Sequence, residues 1–304
     1  MNSPLRIGII GFDTSHVPAF TQLLNDTSDP FHVSGARVVA GFPSYSPDIE
    51  SSVAHVASFQ KQLVEDFGVH ITNSIEELVE QVDAILLHSL DGRRHLAEVR
   101  AVIAAHKPVF VDKPFAASYH DAKTIAQLAT EAGCLIFSSS SLRFDANITA
   151  LKNDPALGKI LACDAFSPAA LEPTNPGLLW YGIHGVEILY TFMGIGCQQV
   201  SVQSSKEYDV VTGIWEDGRI ATMRGQRTGS LDFGATVFGE NKVGQTLYNR
   251  EIPIYSQLLK QIIPFFQGAG VPVPIDETLE MIAFMQAALK AQQEARVVKL
   301  IEVR

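Results

Sequence analysis

Short, mostly apolar runs at residues 7–10, 36–41, 84–88, 108–111 and 135–138 alternate with stretches whose apolar residues recur every three or four positions. Val17, Phe20, Leu23 and Leu24 form one such set. Phe59, Leu63 and Phe67 form a second, Leu96, Val99, Val102 and Ile103 a third, and Ala122, Ile125, Leu128 and Ala129 a fourth. That spacing puts each set on one helix face. Strands apolar on both faces, alternating with amphipathic helices, predict a parallel sheet covered on both sides, the doubly wound arrangement.

The period changes past Arg143. A short helix is expected over 147–153, and "LGKI" turns into a strand. Period-two runs follow at 199–204, 209–215, 220–225 and 234–238, joined by turns such as "EDGR" and "GENKVG". They predict an open, largely antiparallel sheet. A helix over 275–294, capped by Asp276 or with Pro274 in its first turn, precedes a last strand at 298–303. The expected organisation is α/β throughout: a Rossmann-type domain over 1–143 and a second α/β domain over 144–304. A prior of about one domain per 150 residues agrees with two.

Composition narrows the function. Apolar residues make up 46% of the chain and charged residues 18%, enough material for two cores. A formal charge of -10 without a Lys/Arg cluster argues against a nucleic-acid partner. Cys134, Cys163 and Cys197 form no CxxC pair, so neither a disulfide framework nor a zinc knuckle is expected. With no leader pattern and no apolar run of about 18 residues, the expectation is a cytoplasmic protein without a membrane partner.

Five stretches in order resemble the glucose-fructose oxidoreductase/inositol dehydrogenase/MocA superfamily. They are "VFVDKPFAAS" (109–118), "SLRFDA" (141–146), "ALGKI" (156–160), "WYGIHGVEIL" (180–189) and "DETLEMIAFMQAALKAQQ" (276–293). The resemblance implies a nicotinamide-binding Rossmann domain, with NAD or NADP as cofactor. It also implies a second domain whose open sheet is often used in homo-oligomer contacts.

The phosphate loop departs from G-x-G-x-x-G. Gly11 keeps the place of the tight turn, Asp13 takes the second glycine's place and His16 the third. A carboxylate facing a diphosphate costs roughly 1–4 kcal/mol at about 4 Å, depending on the dielectric. Phe12, Thr14, Ser15 and His16 are the candidate cradle, with the hydroxyls of Thr14 and Ser15 and the free N–H groups of the helix start replacing the lost approach. Asp13 is expected to turn away and cap that helix. The second strand leads into Phe42-Pro43-Ser44 with no acid for the ribose. Ser44 is a candidate for a 2′-phosphate, but no arginine adjoins it in sequence, so NAD and NADP both stay open.

Lys113 follows an apolar strand at the carboxyl end of the sheet, where such folds bind ligands. The resemblance implies that Lys113 polarises the substrate oxygen, that the Lys113–Pro114 bond is cis, and that His184 moves the proton. Asp112, Ser89 and His95 complete the cofactor side. Where the family has an Asp four residues before the His, this chain has Trp180, and Glu187 stands three after it. Trp180 and Tyr181 are candidates for lining a sugar pocket, and Arg143 either anchors substrate or joins the domains. No third ligand accompanies His184 and Glu187, so no metal is expected. The reading is an NAD(P)-dependent oxidoreductase acting on a secondary hydroxyl, or the matching ketone, of a sugar, cyclitol or glycoside. Its rivals are a glycoside-cleaving enzyme with a tightly held cofactor and a non-catalytic ligand sensor of the same fold.

Overall fold

The computed structural model describes residues 3–304, which divide into two compact units. The first comprises residues up to Ala116, Asp121–Ser139 and Tyr255–Ile275. Its elements are β1 (Leu5–Ile10), α1 (His16–Asn25), β2 (Ala36–Phe42), α2 (Glu50–Phe67), β3 (His70–Ile71), α3 (Ile75–Gln81), β4 (Ala84–Leu87), α4 (Gly92–Ala104), β5 (Val109–Val111), α5 (Tyr119–Ala132) and β6 (Ile136–Ser138). The six strands are parallel in the order β3-β2-β1-β4-β5-β6. This is the doubly wound order, with the switch point between β1 and β4. Every residue of β4 and β5 is buried, as strands covered on both faces require. The two-residue β3 is too short to leave a periodic signal.

The second unit holds Ala117–His120, Ser140–Ile254 and Asp276–Arg304. It contains α6 (Ala146–Lys152), β7 (Ile160–Pro168), α7 (Ile183–Met193), β8 (Cys197–Ser204), β9 (Tyr208–Trp215), β10 (Ile220–Gln226), β11 (Gly234–Gly239) and β12 (Val243–Leu247). After them α8 (Ile254–Phe266) crosses into the first unit, α9 (Ile275–Glu294) returns, and β13 (Val298–Lys299) closes the sheet. The order is β12-β11-β7-β10-β9-β8-β13. All pairings are antiparallel except β7 with β10. Cys163, Ala165, Met223, Val211 and Val237 point inward on one face, which α7 and α9 cover. On the other, Ile220, Phe238, Val243 and Leu247 are exposed.

The sequence-based expectations need three amendments. The last strand is only Val298–Lys299, because the chain then winds into a 3-10 turn at Leu300–Glu302. The final hairpin strand β12 and helix α8 were not read from the sequence. Residues 255–275, expected in the second domain, pack in the first unit, where Phe265 meets Phe137 at 4.8 Å and Tyr255 meets Phe20 at 5.3 Å.

Candidate active site

At the end of β1 the chain turns through Gly11 at φ +85°. A Cβ there would lie 2.3 Å from the Ser89 main chain, so only glycine lets the loops after β1 and β4 meet. Beyond Gly11 the structure departs from a standard phosphate loop. The Gly11 and Phe12 N–H groups donate to Phe42 O at 3.1 Å and Ser44 O at 3.0 Å, and the Phe12 ring is fully buried over Gly41. Phe12 is thus a packing residue that extends the β1–β2 ladder.

Asp13 turns away from the helix start, but it does not cap α1, whose N-cap is Ser15. Its carboxylate accepts the Leu90 N–H at 3.0 Å and the Ser52 hydroxyl at 2.6 Å, and Ser52 Oγ accepts the Ser46 N–H at 2.7 Å. Burial raises the Asp13 pKa, against the bond from Ser52. The loop of residues 43–49 is held to the start of α4 by further bonds. Ser46 donates to Asp91 at 2.9 Å, Arg93 pairs with Asp48 and Asp91, and Ser44 donates to Glu98. Glu98 also takes the Ser89 hydroxyl at 2.6 Å and Arg94 Nε at 2.9 Å. The arginine missing beside Ser44 in sequence is supplied by the fold, since Arg94 Nη2 reaches Ser44 Oγ at 2.9 Å. Ser44, Ser89 and His95 are buried. The His95 ring nitrogens face two carbonyls, Ser89 O at 2.7 Å and Phe115 O at 3.2 Å.

What remains open at the helix start is Ser15, exposed, and Thr14, half-buried. The His16 and Val17 N–H groups are taken by Thr14 Oγ1 at 3.4 Å and Thr14 O at 3.1 Å, so the two hydroxyls are what the helix start offers an anion. The His16 side chain crosses instead to the end of β5. Its Nδ1 bonds to Asp112 Oδ2, and its ring lies 4.7 Å from Tyr255. His88 Nδ1 reaches the same carboxylate oxygen at 2.8 Å, and Asp112 Oδ1 accepts the Lys113 N–H at 2.8 Å. Burial pushes the Asp112 pKa up, but the charge and bond of His16 and the bond from His88 outweigh it, holding the carboxyl well below the usual range. Burial lowers the pKa of the Lys113 amine, with the Asp112 charge opposing. The Lys113–Pro114 peptide is cis.

In the second unit His184 sits in the first turn of α7, buried, with Tyr181 edge-on at 4.8 Å and Phe233 at 5.7 Å. Trp180 precedes this helix, so it does not share a helical face with His184. Ser140 Oγ meets His184 Nδ1 at 2.7 Å while the Ser140 N–H donates to Glu187 Oε2 at 3.0 Å. Sequence reasoning passed over Ser140, one hydroxyl in a run of four serines. Glu187 also takes Arg143 Nε, and Arg143 Nη2 reaches Glu277 at 2.7 Å. Burial lowers the Arg143 pKa, but the two carboxylates more than reverse it. With both carboxylates on its guanidinium, Arg143 ties α7 to α9 within the second unit.

A doubly wound sheet with a lysine after its fifth strand is followed in the chain by a mixed sheet carrying a helix-borne histidine, the two-unit organisation that the resemblance implies. Residues 5–140 match the model of the oxidoreductase family with an NAD-binding Rossmann fold, and this segment of the chain belongs to that glucose-fructose oxidoreductase/inositol dehydrogenase/MocA family. An inositol 2-dehydrogenase of Cereibacter sphaeroides is 34% identical over 179 residues, covering 57% of this chain and 47% of the relative. The chain thus spans about half the length of the curated relatives it matches. Among solved structures, a probable dehydrogenase from Thermotoga maritima superposes with a TM-score of 0.79 at 22% identity, covering 98% of this chain and 100% of the other. Apo scyllo-inositol dehydrogenase from Lactobacillus casei gives 0.79 at 16% identity, covering 98% and 99%. At these identities the structural likeness speaks for the fold.

Proposed function

We propose that this protein is an NAD(P)-dependent oxidoreductase that interconverts a secondary hydroxyl of a cyclitol or sugar and the corresponding ketone. The observation carrying this reading is Lys113. It is a buried amine of lowered pKa at the carboxyl end of β5, in a chain of an NAD-binding oxidoreductase family whose curated relative is an inositol dehydrogenase.

The cofactor supplies hydride acceptance or donation when bound. Thr14 and Ser15 would hold its diphosphate at the start of α1. The Lys113 amine would donate a hydrogen bond to the reacting oxygen and stabilise the alkoxide character that develops there. His184, whose Nδ1 meets Ser140 Oγ, would exchange the hydroxyl proton. Tyr181 would offer an aromatic face to the ring C–H groups of the substrate. The exposed apolar positions Ile220, Phe238, Val243 and Leu247 favour pairing of the second sheet with another copy of the chain.

The test is nicotinamide reduction at 340 nm with a panel of inositols, hexoses and glycosides, run beside Lys113→Met. Substrate-dependent reduction that the variant loses supports the reading. Reduction at the same rate in the variant, or with no member of the panel, would overturn it.

A further inference from the structure

We propose that His16, His88 and Asp112 form a binding site for a divalent transition-metal ion of the zinc type. Nδ1 of each histidine and a carboxylate oxygen of Asp112 all lie within 4.8 Å of one another. The three residues come from the start of α1 and the ends of β4 and β5, with Asp112 96 residues from His16 and 24 from His88. Both Nδ1 atoms address one oxygen, Oδ2, while Oδ1 is used by the Lys113 N–H. Three ligand atoms thus lie close enough together for one cation to bridge them once the rings draw back from Oδ2.

His88 adds an independent indication. Its side chain is fully buried, 4.7 Å from the Phe20 ring and 6.2 Å from Phe110, and its Nε2 has no hydrogen-bond partner. An apolar side chain would fill such a pocket without leaving a buried polar atom unsatisfied, a cost of about 1–3 kcal/mol. The imidazole there brings its Nδ1 to the Asp112 carboxylate at 2.8 Å. Two imidazoles and one carboxylate favour borderline d-block ions over magnesium or calcium, and they leave a coordination position open. The His16 side chain, 13% exposed, gives the ion its way in. The rings need only part from Oδ2 until each ligand stands about 2.0–2.2 Å from the ion. The proposal does not rest on the redox reading.

The experiment loads chelator-stripped protein with Zn²⁺ in competition with a chromophoric indicator, and with Co²⁺ read by its visible absorption, no nucleotide being present. About one ion per chain is expected, with cobalt bands of low-symmetry coordination. His88→Phe, matched to its apolar pocket, and His16→Gln should each weaken binding by about 100-fold or more, beyond what the loss of an outer-sphere partner costs. If neither variant folds, X-ray absorption of the zinc-loaded native chain decides. A shell with two imidazoles supports the proposal, and one without them overturns it. Failure of the native chain to bind at micromolar zinc, or unchanged binding in both variants, also overturns it and leaves the trio as a hydrogen-bonded brace. Because nucleotide is absent throughout, neither result bears on cofactor binding.

Discussion

The Asp13 carboxylate accepts the main-chain N–H of Leu90 at 3.0 Å, across 77 residues of sequence. With Ser52 on its other oxygen, the residue standing where a phosphate loop has its second glycine ties together the segments after β1, β2 and β4. Asp13→Asn keeps both contacts, its carbonyl accepting from Leu90 and its amide donating to Ser52. Asp13→Ala strands the Leu90 N–H and should lose about 1–3 kcal/mol. The Asp13 pKa is raised in the fold, so the folded state binds this proton more tightly than the unfolded one. The penalty for the charge is absent at low pH and grows as pH rises from the ordinary aspartate value through the folded one. Asp13→Asn should therefore melt at or above the native temperature at pH 7, with the difference shrinking towards pH 4. Melting curves across that range check both variants.

Lys113 couples catalysis to stability with opposite signs. Lys113→Met should cut turnover by about 10²–10⁴-fold. The folded-state pKa of the amine is lowered, so below the ordinary lysine value the unfolded chain holds the proton more tightly and folding is penalised. That penalty fades as pH rises through the alkaline range. The inactive variant should melt higher than the native protein near pH 7, and the gap should narrow by pH 10. A variant that melts lower at pH 7 would contradict this.

Ser140 orients His184 through a 2.7 Å contact to Nδ1. Ser140→Ala should lower kcat by about tenfold with little change in KM, the pattern of an interaction made in the transition state. Ser140→Thr should restore most of it. The pH dependence of kcat should also move in the alanine variant, which a purely structural role would leave in place.

The end of β2 should favour NAD over NADP. Arg94 approaches Ser44, but its charge is matched by Glu98, and Arg93 is matched by Asp48 and Asp91. No surplus positive charge awaits a 2′-phosphate. NAD should bind at least about tenfold more tightly, or about 1.4 kcal/mol. Glu98→Gln, which releases the Arg94 charge, should narrow the gap. Calorimetric titration of both nucleotides into both proteins measures it.

The parallel sheet was legible because β1, β4 and β5 are apolar on both faces and each is followed by a helix with a clear three-four pattern. Helix α8 was not, since Pro253 precedes it and Pro264 lies inside its last turn, where each reads as a breaker, and its docking beside Phe20 and Phe137 is a tertiary fact. The parallel pairing of β7 with β10 is equally hidden, because a period of two carries no strand direction. At the candidate site, Lys113 and His184 could be singled out by their local motifs. The shared carboxylate of Asp112 could not, since His16 and His88 reach it only after the start of α1 and the ends of β4 and β5 have converged. Asp13 looked like a defect in a phosphate loop because its partners, Leu90 and Ser52, carry no sequence signal.

The most direct test of the central claim is titration of the purified chain with NAD and NADH, by calorimetry and by thermal melting. The account predicts saturable binding, a rise in melting temperature, and marked weakening when Thr14 and Ser15 are replaced together by Val and Ala. Saturating nucleotide that releases no heat and leaves the melting curve where it was would contradict it.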